Sequence, residues 1–138
     1  MLLPKKVKYR KWHTMRRNTS RIGTATRGAT LAFGSFGLKA TTDARIRSNQ
    51  IEAARKVLSR AMGKTGKVWI RIFPDMPITR KPAEVKLGKG KGDLFAYVAP
   101  VLPGRIIFEI DGVTEAVAKE ALRKAGTKLP IKSKVVAR

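Results

Sequence analysis

KVWIRIFPDMPITRKPAEVKLGKGKGD, residues 67–93, joins two kinds of chain. Val68-Trp69-Ile70-Arg71-Ile72-Phe73 is rich in β-branched and aromatic side chains and predicts a strand over 68–73. The stretch from Pro74 to Asp93 reads as a long connection that cannot be packed core. It holds Pro74, Pro77 and Pro82, then the alternating glycines Gly88, Gly90 and Gly92, with Arg80, Lys81, Lys86, Lys89 and Lys91 among them. Connections of this length are usually functional or disordered. Proline stiffens the first half by fixing φ, and glycine lets the second half bring its backbone close to a partner. Stiffness, positive charge and bare backbone together suit a probe that reaches toward phosphate.

The rest of the chain agrees. It carries 31 Lys and Arg against 9 Asp and Glu, a formal net charge of +22 on 138 residues. Such an excess repels itself in a free compact protein and calls for a polyanionic partner. A hydrophobic content of 43% allows one domain with a modest core, so the chain is not a disordered polycation. There is no cysteine and a single histidine, His13, which excludes disulfides and thiol chemistry and leaves no set of metal ligands. No apolar run approaches the roughly 18 residues of a membrane span. Met1-Leu2-Leu3-Pro4 is followed at once by Lys5-Lys6, which leaves no secretory apolar segment.

Outward from the opening stretch, residues 1–30 read as a basic arm. Lys5, Lys6, Lys8, Arg10, Lys11, Arg16, Arg17, Arg21 and Arg27 recur without apolar periodicity, with Tyr9, Trp12 and His13 interleaved. Charge for phosphates and flat rings for bases is the pairing of nucleic-acid contacts. Residues 31–138 read as one α+β domain. Leu31, Phe33, Phe36 and Leu38, spaced by Gly34 and Gly37, predict a strand with a bulge or close backbone approach. Ser48 is the expected N-cap of a first helix, whose apolar face is Ile51, Ala54, Val57, Leu58, Ala61 and Met62, ending at Gly63 or Gly66. Beyond the long connection come strands at 94–101 and 105–110 with a Pro103-Gly104 turn between them. Thr114 caps a second helix with Val117, Ala118, Ala121, Leu122 and Ala125 inward, and Gly126 stops it. A last strand runs from Ile131 to Val136. The expected order is β, α, β, long loop, β, β, α, β.

Catalytic constellations are missing. Glu109 and Asp111 share one face of a strand, but beside Gly112 they read as solvated acids. Gly63-Lys64-Thr65 imitates the end of a phosphate-binding loop, yet the glycine needed five positions earlier is Leu58. Gly88-Lys89-Gly90-Lys91-Gly92 lacks the following helix and reads as a basic tip against a phosphate backbone. With no sequence-reading motif and with charge spread over arm, helix, loop and tail, the target is folded RNA read by shape. A duplex-DNA architectural protein, a free RNA chaperone and a nucleic-acid-processing enzyme are the rival classes.

The chain resembles the bacterial-type large-subunit ribosomal protein sixteen family along nearly its whole length. The resemblance rests on Met1-Leu2-Leu3-Pro4-Lys5-Lys6, Lys8-Tyr9-Arg10-Lys11, Phe33-Gly34-Ser35-Phe36-Gly37-Leu38 and Gln50-Ile51-Glu52-Ala53-Ala54-Arg55. It continues in Ile70-Arg71-Ile72-Phe73-Pro74-Asp75, Lys81-Pro82, the alternating glycines, Pro103-Gly104, Asp111-Gly112-Val113 and Lys128-Leu129-Pro130-Ile131-Lys132. Lys86 stands where many bacterial relatives carry arginine, and Met76 where lysine is common. The resemblance implies an α+β two-layer sandwich with a hammerhead-like β element, no enzymatic activity and no cofactor. It implies 23S-type rRNA, A-site and P-site tRNA and neighbouring large-subunit proteins as partners, with neither membrane nor homo-oligomer. It implies rRNA contacts through Lys5, Lys6, Lys8, Arg10, Lys11, Arg16, Arg17, Arg55 and Arg60, and a tRNA-proximal loop at Arg80, Lys81, Lys86, Lys89 and Lys91. The implied location is the large subunit of a cytoplasmic ribosome, or an organelle matrix for an organellar source.

Overall fold

The computed structural model describes residues 1–14 and 18–138, so Arg16 and Arg17 lie outside the described residues. The elements are β1 (Phe36–Ala40), β2 (Ala44–Arg47), α1 (Ser48–Met62), β3 (Lys67–Ile70), β4 (Met76–Arg80), β5 (Asp93–Val101), β6 (Ile106–Asp111), α2 (Glu115–Gly126) and β7 (Ser133–Ala137). They form a four-stranded sheet in the order β3-β6-β1-β7 and a three-stranded sheet in the order β2-β5-β4, with every pairing antiparallel. The two helices pack on each other; α2 lies against β1 and β7, and α1 against β3 and β2. This is the expected α+β architecture.

Burial follows the helical period. Ile51, Ala54, Leu58 and Met62 of α1 and Ala118, Ala121, Leu122 and Ala125 of α2 are buried against Leu38, Phe108 and Ile110 of the sheet. Ala61 and Val117, expected on those faces, are exposed. Capping differs from expectation as well. Arg47, not Ser48, is the extended N-cap of α1, and the Gln50 side chain accepts its N–H at 2.9 Å. At the other end Gly63 turns the chain out with φ 61°, a backbone that L side chains rarely adopt.

Two strands lie where none was expected. β2 has one buried apolar residue, Ile46, between exposed Arg45 and Arg47, too little alternation to signal a strand. β4 corrects the reading of 74–93 as free of packed core: Met76 and Pro77 are buried, and Met76–Arg80 pairs with β5. Pro77 is tolerated because β4 is an edge strand. The missing loop charge at Met76 is therefore a buried apolar anchor. β3 is shorter than expected, although the Arg71 N–H still donates to the Ile107 carbonyl at 2.8 Å.

The segment before β1 is a loop wrapped on a buried carboxylate. Glu109, in β6, has no exposed surface, which corrects its reading as a solvated acid. Its Oε2 accepts the N–H groups of Phe33 at 2.6 Å and Gly34 at 2.8 Å, and its Oε1 that of Ala32 at 3.1 Å. Arg71 forms the ion pair. Phe33 stacks on Trp69, centroids 6.1 Å apart, and the Arg71 guanidinium sits 5.1 Å from the Phe33 ring. Burial alone pushes the Glu109 carboxyl up, but the three N–H donors and Arg71 outweigh it and hold the group below its ordinary range. Gly34 is needed at that approach, since a Cβ there would lie 2.5 Å from the Ile110 carbonyl oxygen. Two positions on, Asp111 accepts the Ser35 hydroxyl at 2.8 Å and is likewise lowered, first by that bond.

Glu109→Ala leaves Arg71 and three N–H groups without their acceptor and is expected to cost about 3–5 kcal/mol, measured by urea unfolding at neutral pH. A depressed carboxylate contributes stability above its unfolded pKa, about 4.3, and loses it as pH falls through the lower folded value. Native protein should therefore lose more stability between pH 5 and strong acid than Glu109→Gln does, a comparison of urea midpoints across that window.

Candidate nucleic-acid interface

Charge that the protein cannot neutralise itself marks the surface. With 31 cations and 9 carboxylates, at least 22 cations remain even if every acid takes one partner. In the arm, Lys5, Lys6, Lys8 and Arg10 are exposed, as are Tyr9 and Trp12. Lys8 Nζ lies 5.5 Å from the Tyr9 ring centroid. The arm is not loose throughout. Leu2 packs on the core, Ala25 N–H donates to Pro103 O at 2.7 Å, and Ile106 N–H donates to Gly28 O at 2.8 Å. Arg105 clips the same segment, donating to Arg27 O at 2.8 Å and to Arg71 O at 3.1 Å.

Arm and loop meet. Lys11 Nζ is 3.6 Å from the Asp93 carboxylate, and Lys91 donates to the Trp12 carbonyl. Asp93 is 93% exposed, so that pair contributes little to stability, but it brings two expected contact regions to one place. The loop proper is residues 81–92. Residues 82–91 are all exposed, with Leu87 bare at the tip. Lys81 Nζ donates to Gly88 O at 2.9 Å, folding the tip back on its own stem. Of the alternating glycines, Gly92 is the one in close approach: a Cβ would lie 2.7 Å from Arg80 O, across the neck. Gly90 has open space around it, and a Cβ at Gly88 would meet only the Lys86 carbonyl oxygen at 3.9 Å.

On α1, Arg55 is already occupied. It grips Glu52 with two bonds, Nη2 to Oε1 at 2.6 Å and Nε to Oε2 at 2.9 Å. That grip lowers the Glu52 carboxyl and raises the Arg55 guanidinium. Arg60 is exposed, and five residues along a helix place it about 140° round the axis from Arg55. Arg80, expected in the loop, ends β4 and lies 5.5 Å from the centroid of Phe95; Arg47 lies 5.3 Å from the same ring. Phe95 and Arg47 carry no signal in the sequence beyond their residue types, because only strand pairing brings them together. Among the described residues there is no cluster of potential metal ligands and no helix long and apolar enough to cross a membrane.

Residues 4–136 match the sequence model of the family described as ribosomal protein L16p/L10e. A protein of Rhodopseudomonas palustris strain BisB18, named large ribosomal subunit protein uL16, is 59% identical over the whole chain and 98% of its own length. Proteins of the same name from Nitrobacter hamburgensis and Afipia carboxidovorans are 56% and 55% identical over the same shares. The chain belongs to the ribosomal protein L16p/L10e family. Members of the L16p/L10e family are structural ribosomal proteins rather than enzymes, in keeping with Glu109 and Asp111 being spent on the loop at 32–35.

Gly92→Ala in this L16p/L10e protein should open the loop neck without unfolding the core. Overpacking of this kind costs about 1–3 kcal/mol. Hydrogen exchange at the amides of Arg80 and Lys81 is expected to accelerate roughly tenfold or more, while exchange in β6 stays unchanged.

Proposed function

We propose that this chain works in the large ribosomal subunit, where it binds 23S-type rRNA and helps organise the aminoacyl-tRNA site. The observation that carries this reading is the family match over residues 4–136, with relatives named as large-subunit proteins over their full length. Unneutralised charge supports it physically: a cation excess of +22 is matched by phosphate, not by the protein's own acids. Lys5, Lys6, Lys8, Arg10, Lys11, Arg16 and Arg17 neutralise rRNA phosphates from the arm, and Arg55 and Arg60 do so from α1. Lys81, Lys86, Lys89 and Lys91 of the loop, with Arg80 at its base, stand toward tRNA in the A site and the neighbouring P site. The protein performs no chemistry; it holds RNA in shape and helps to position tRNA.

Eight phosphates neutralised on isolated rRNA predict a slope of log affinity against log salt of about −6 to −7. A slope near zero would refute the electrostatic mechanism. Arg60→Ala should lower the magnitude of that slope by about one, and Arg55→Ala by less, because Glu52 already neutralises Arg55. Replacing both Lys89 and Lys91 with alanine should leave the thermal midpoint unchanged and weaken A-site tRNA binding in ribosomes that carry the variant. Normal tRNA binding and elongation in those ribosomes would contradict the role given to the loop.

A further inference from the structure

A cavity of about 640 Å³ lies between the N-terminal segment at 25–27, the corner that follows β3 and the end of β5. Leu2, Pro100 and Leu102 give it apolar walls, and Arg27, Phe73 and Asp75 line it with them. Arg105 ties two of the walls together: it donates to the Arg27 carbonyl at 2.8 Å on one side and to the Arg71 carbonyl at 3.1 Å on the other. The Ala25 N–H adds a bond to the Pro103 carbonyl at 2.7 Å. A cavity held in this way is largely formed before a ligand enters. Three side chains on it have no partner among the described residues. Phe73 is 47% exposed, and neither a ring nor a cation lies on it. Asp75 is exposed and makes no ion pair, although Arg71 and Arg105 line the same cavity; those two guanidiniums are turned to Glu109 and to carbonyls. Arg27 is exposed, and only its carbonyl is bonded. A tight turn brings the ring and the carboxylate to one place. The Asp75 N–H donates to the Phe73 carbonyl at 3.1 Å around buried Pro74, whose own φ is fixed. A flat face, a free acceptor and a free cation thus share one apolar cavity.

We infer that this cavity takes one unpaired guanine of an RNA strand. The base stacks on Phe73, the Asp75 carboxylate accepts the N1–H and N2–H groups of its Watson–Crick edge, and Arg27 meets the phosphate. Aromatic stacking and hydrogen bonds to the Watson–Crick edge are how unpaired bases are read. An ionised carboxylate only accepts. Guanine offers it two adjacent donors, whereas the other three bases set an acceptor beside each donor on that edge. A basic protein segment would also meet Asp75 and Phe73, but Arg27, Arg71 and Arg105 on the walls repel its charge and attract phosphate. The inference deepens the rRNA-binding reading and rests on it. It adds a base preference that charge alone does not supply, carried by residues outside the contacts assigned above.

The test titrates full-length protein with two RNA pentamers of equal charge, UUGUU and UUAUU, in salt high enough to screen phosphate attraction. Native protein should bind UUGUU about 5- to 150-fold more tightly, the discrimination of one bidentate base contact. Asp75→Asn should bring the two affinities together by weakening UUGUU, and should unfold at the native temperature because the carboxylate it removes is exposed and unpaired. On charge alone, removing an acid would strengthen both pentamers, so the sign of the change separates base recognition from electrostatics. Phe73→Leu keeps an apolar side chain without the flat face and should weaken both pentamers several-fold. Equal affinities in native protein, or a preference that survives Asp75→Asn, overturns the guanine pocket while leaving the rRNA reading standing. GMP bound as tightly as UUGUU, with the same dependence on Asp75, overturns the RNA-strand assignment in favour of a free-nucleotide site. The peptide Gly-Lys-Phe-Lys-Gly bound more tightly than UUGUU, again through Asp75, overturns it in favour of a basic protein segment. Loss of all pentamer binding even in low salt would instead overturn the rRNA reading itself.

Discussion

The Glu109 carboxylate is the point on which the rest of the fold turns. It lies on β6, between β3 and β1 in the four-stranded sheet, and it reaches back 75 residues to hold the chain at 32–34. A fully buried carboxylate in a protein of net charge +22 would be costly if it stood alone. Three backbone N–H groups and Arg71 share its charge instead. The consequence reaches the surface. By fixing residues 32–34, Glu109 ends the N-terminal segment at a defined place, and Arg105 fixes the stretch just before it through Arg27. A basic arm that would otherwise wander starts from two clamps.

Binding capacity and stability are thus kept in different parts of the molecule. The core is made of apolar side chains on the two helices and both sheets, with Phe108 the largest, and Arg71 and Arg105 do structural work, donating to Glu109 and to the Arg27 and Arg71 carbonyls. The arm and loop hold Lys5, Lys6, Lys8, Arg10, Lys86 and Lys89 exposed. They touch each other through Lys11 with Asp93 and Lys91 with Trp12. Close to this contact, in the central strand β5 of the three-stranded sheet, the bulge at Phe95 places that ring beside the Arg47 and Arg80 guanidiniums.

Helices were legible because their apolar residues recur at 3.6-residue spacing, and both lie where that period puts them. The misassigned Ala61 and Val117 are small or peripheral positions at which the period alone does not decide burial. β2 and β4 were not legible. One apolar residue between two arginines gives no alternation, and Pro77 argues for a strand only once β4 is known to be an edge. Glu109 was misread for a related reason: a lone acid in a strand says nothing of a donor set contributed by a distant loop. Of the residues proposed to contact RNA, the exposed lysines of arm and loop were visible as composition. The engagement of Arg55 by Glu52 is an i, i+3 pair that helical spacing allows but does not require. Phe95 stayed hidden because its aim depends on which residue of β5 is skipped by β4.

The most direct measurement of the central claim is sucrose-gradient fractionation of cells carrying a tagged copy of the chain, before and after ribosomes are split at low magnesium. Tag that follows the large subunit through the split is the predicted result. Tag that stays at the top of the gradient, or leaves intact ribosomes in mild salt, would contradict a structural place in the subunit and return the chain to the class of free RNA-binding proteins.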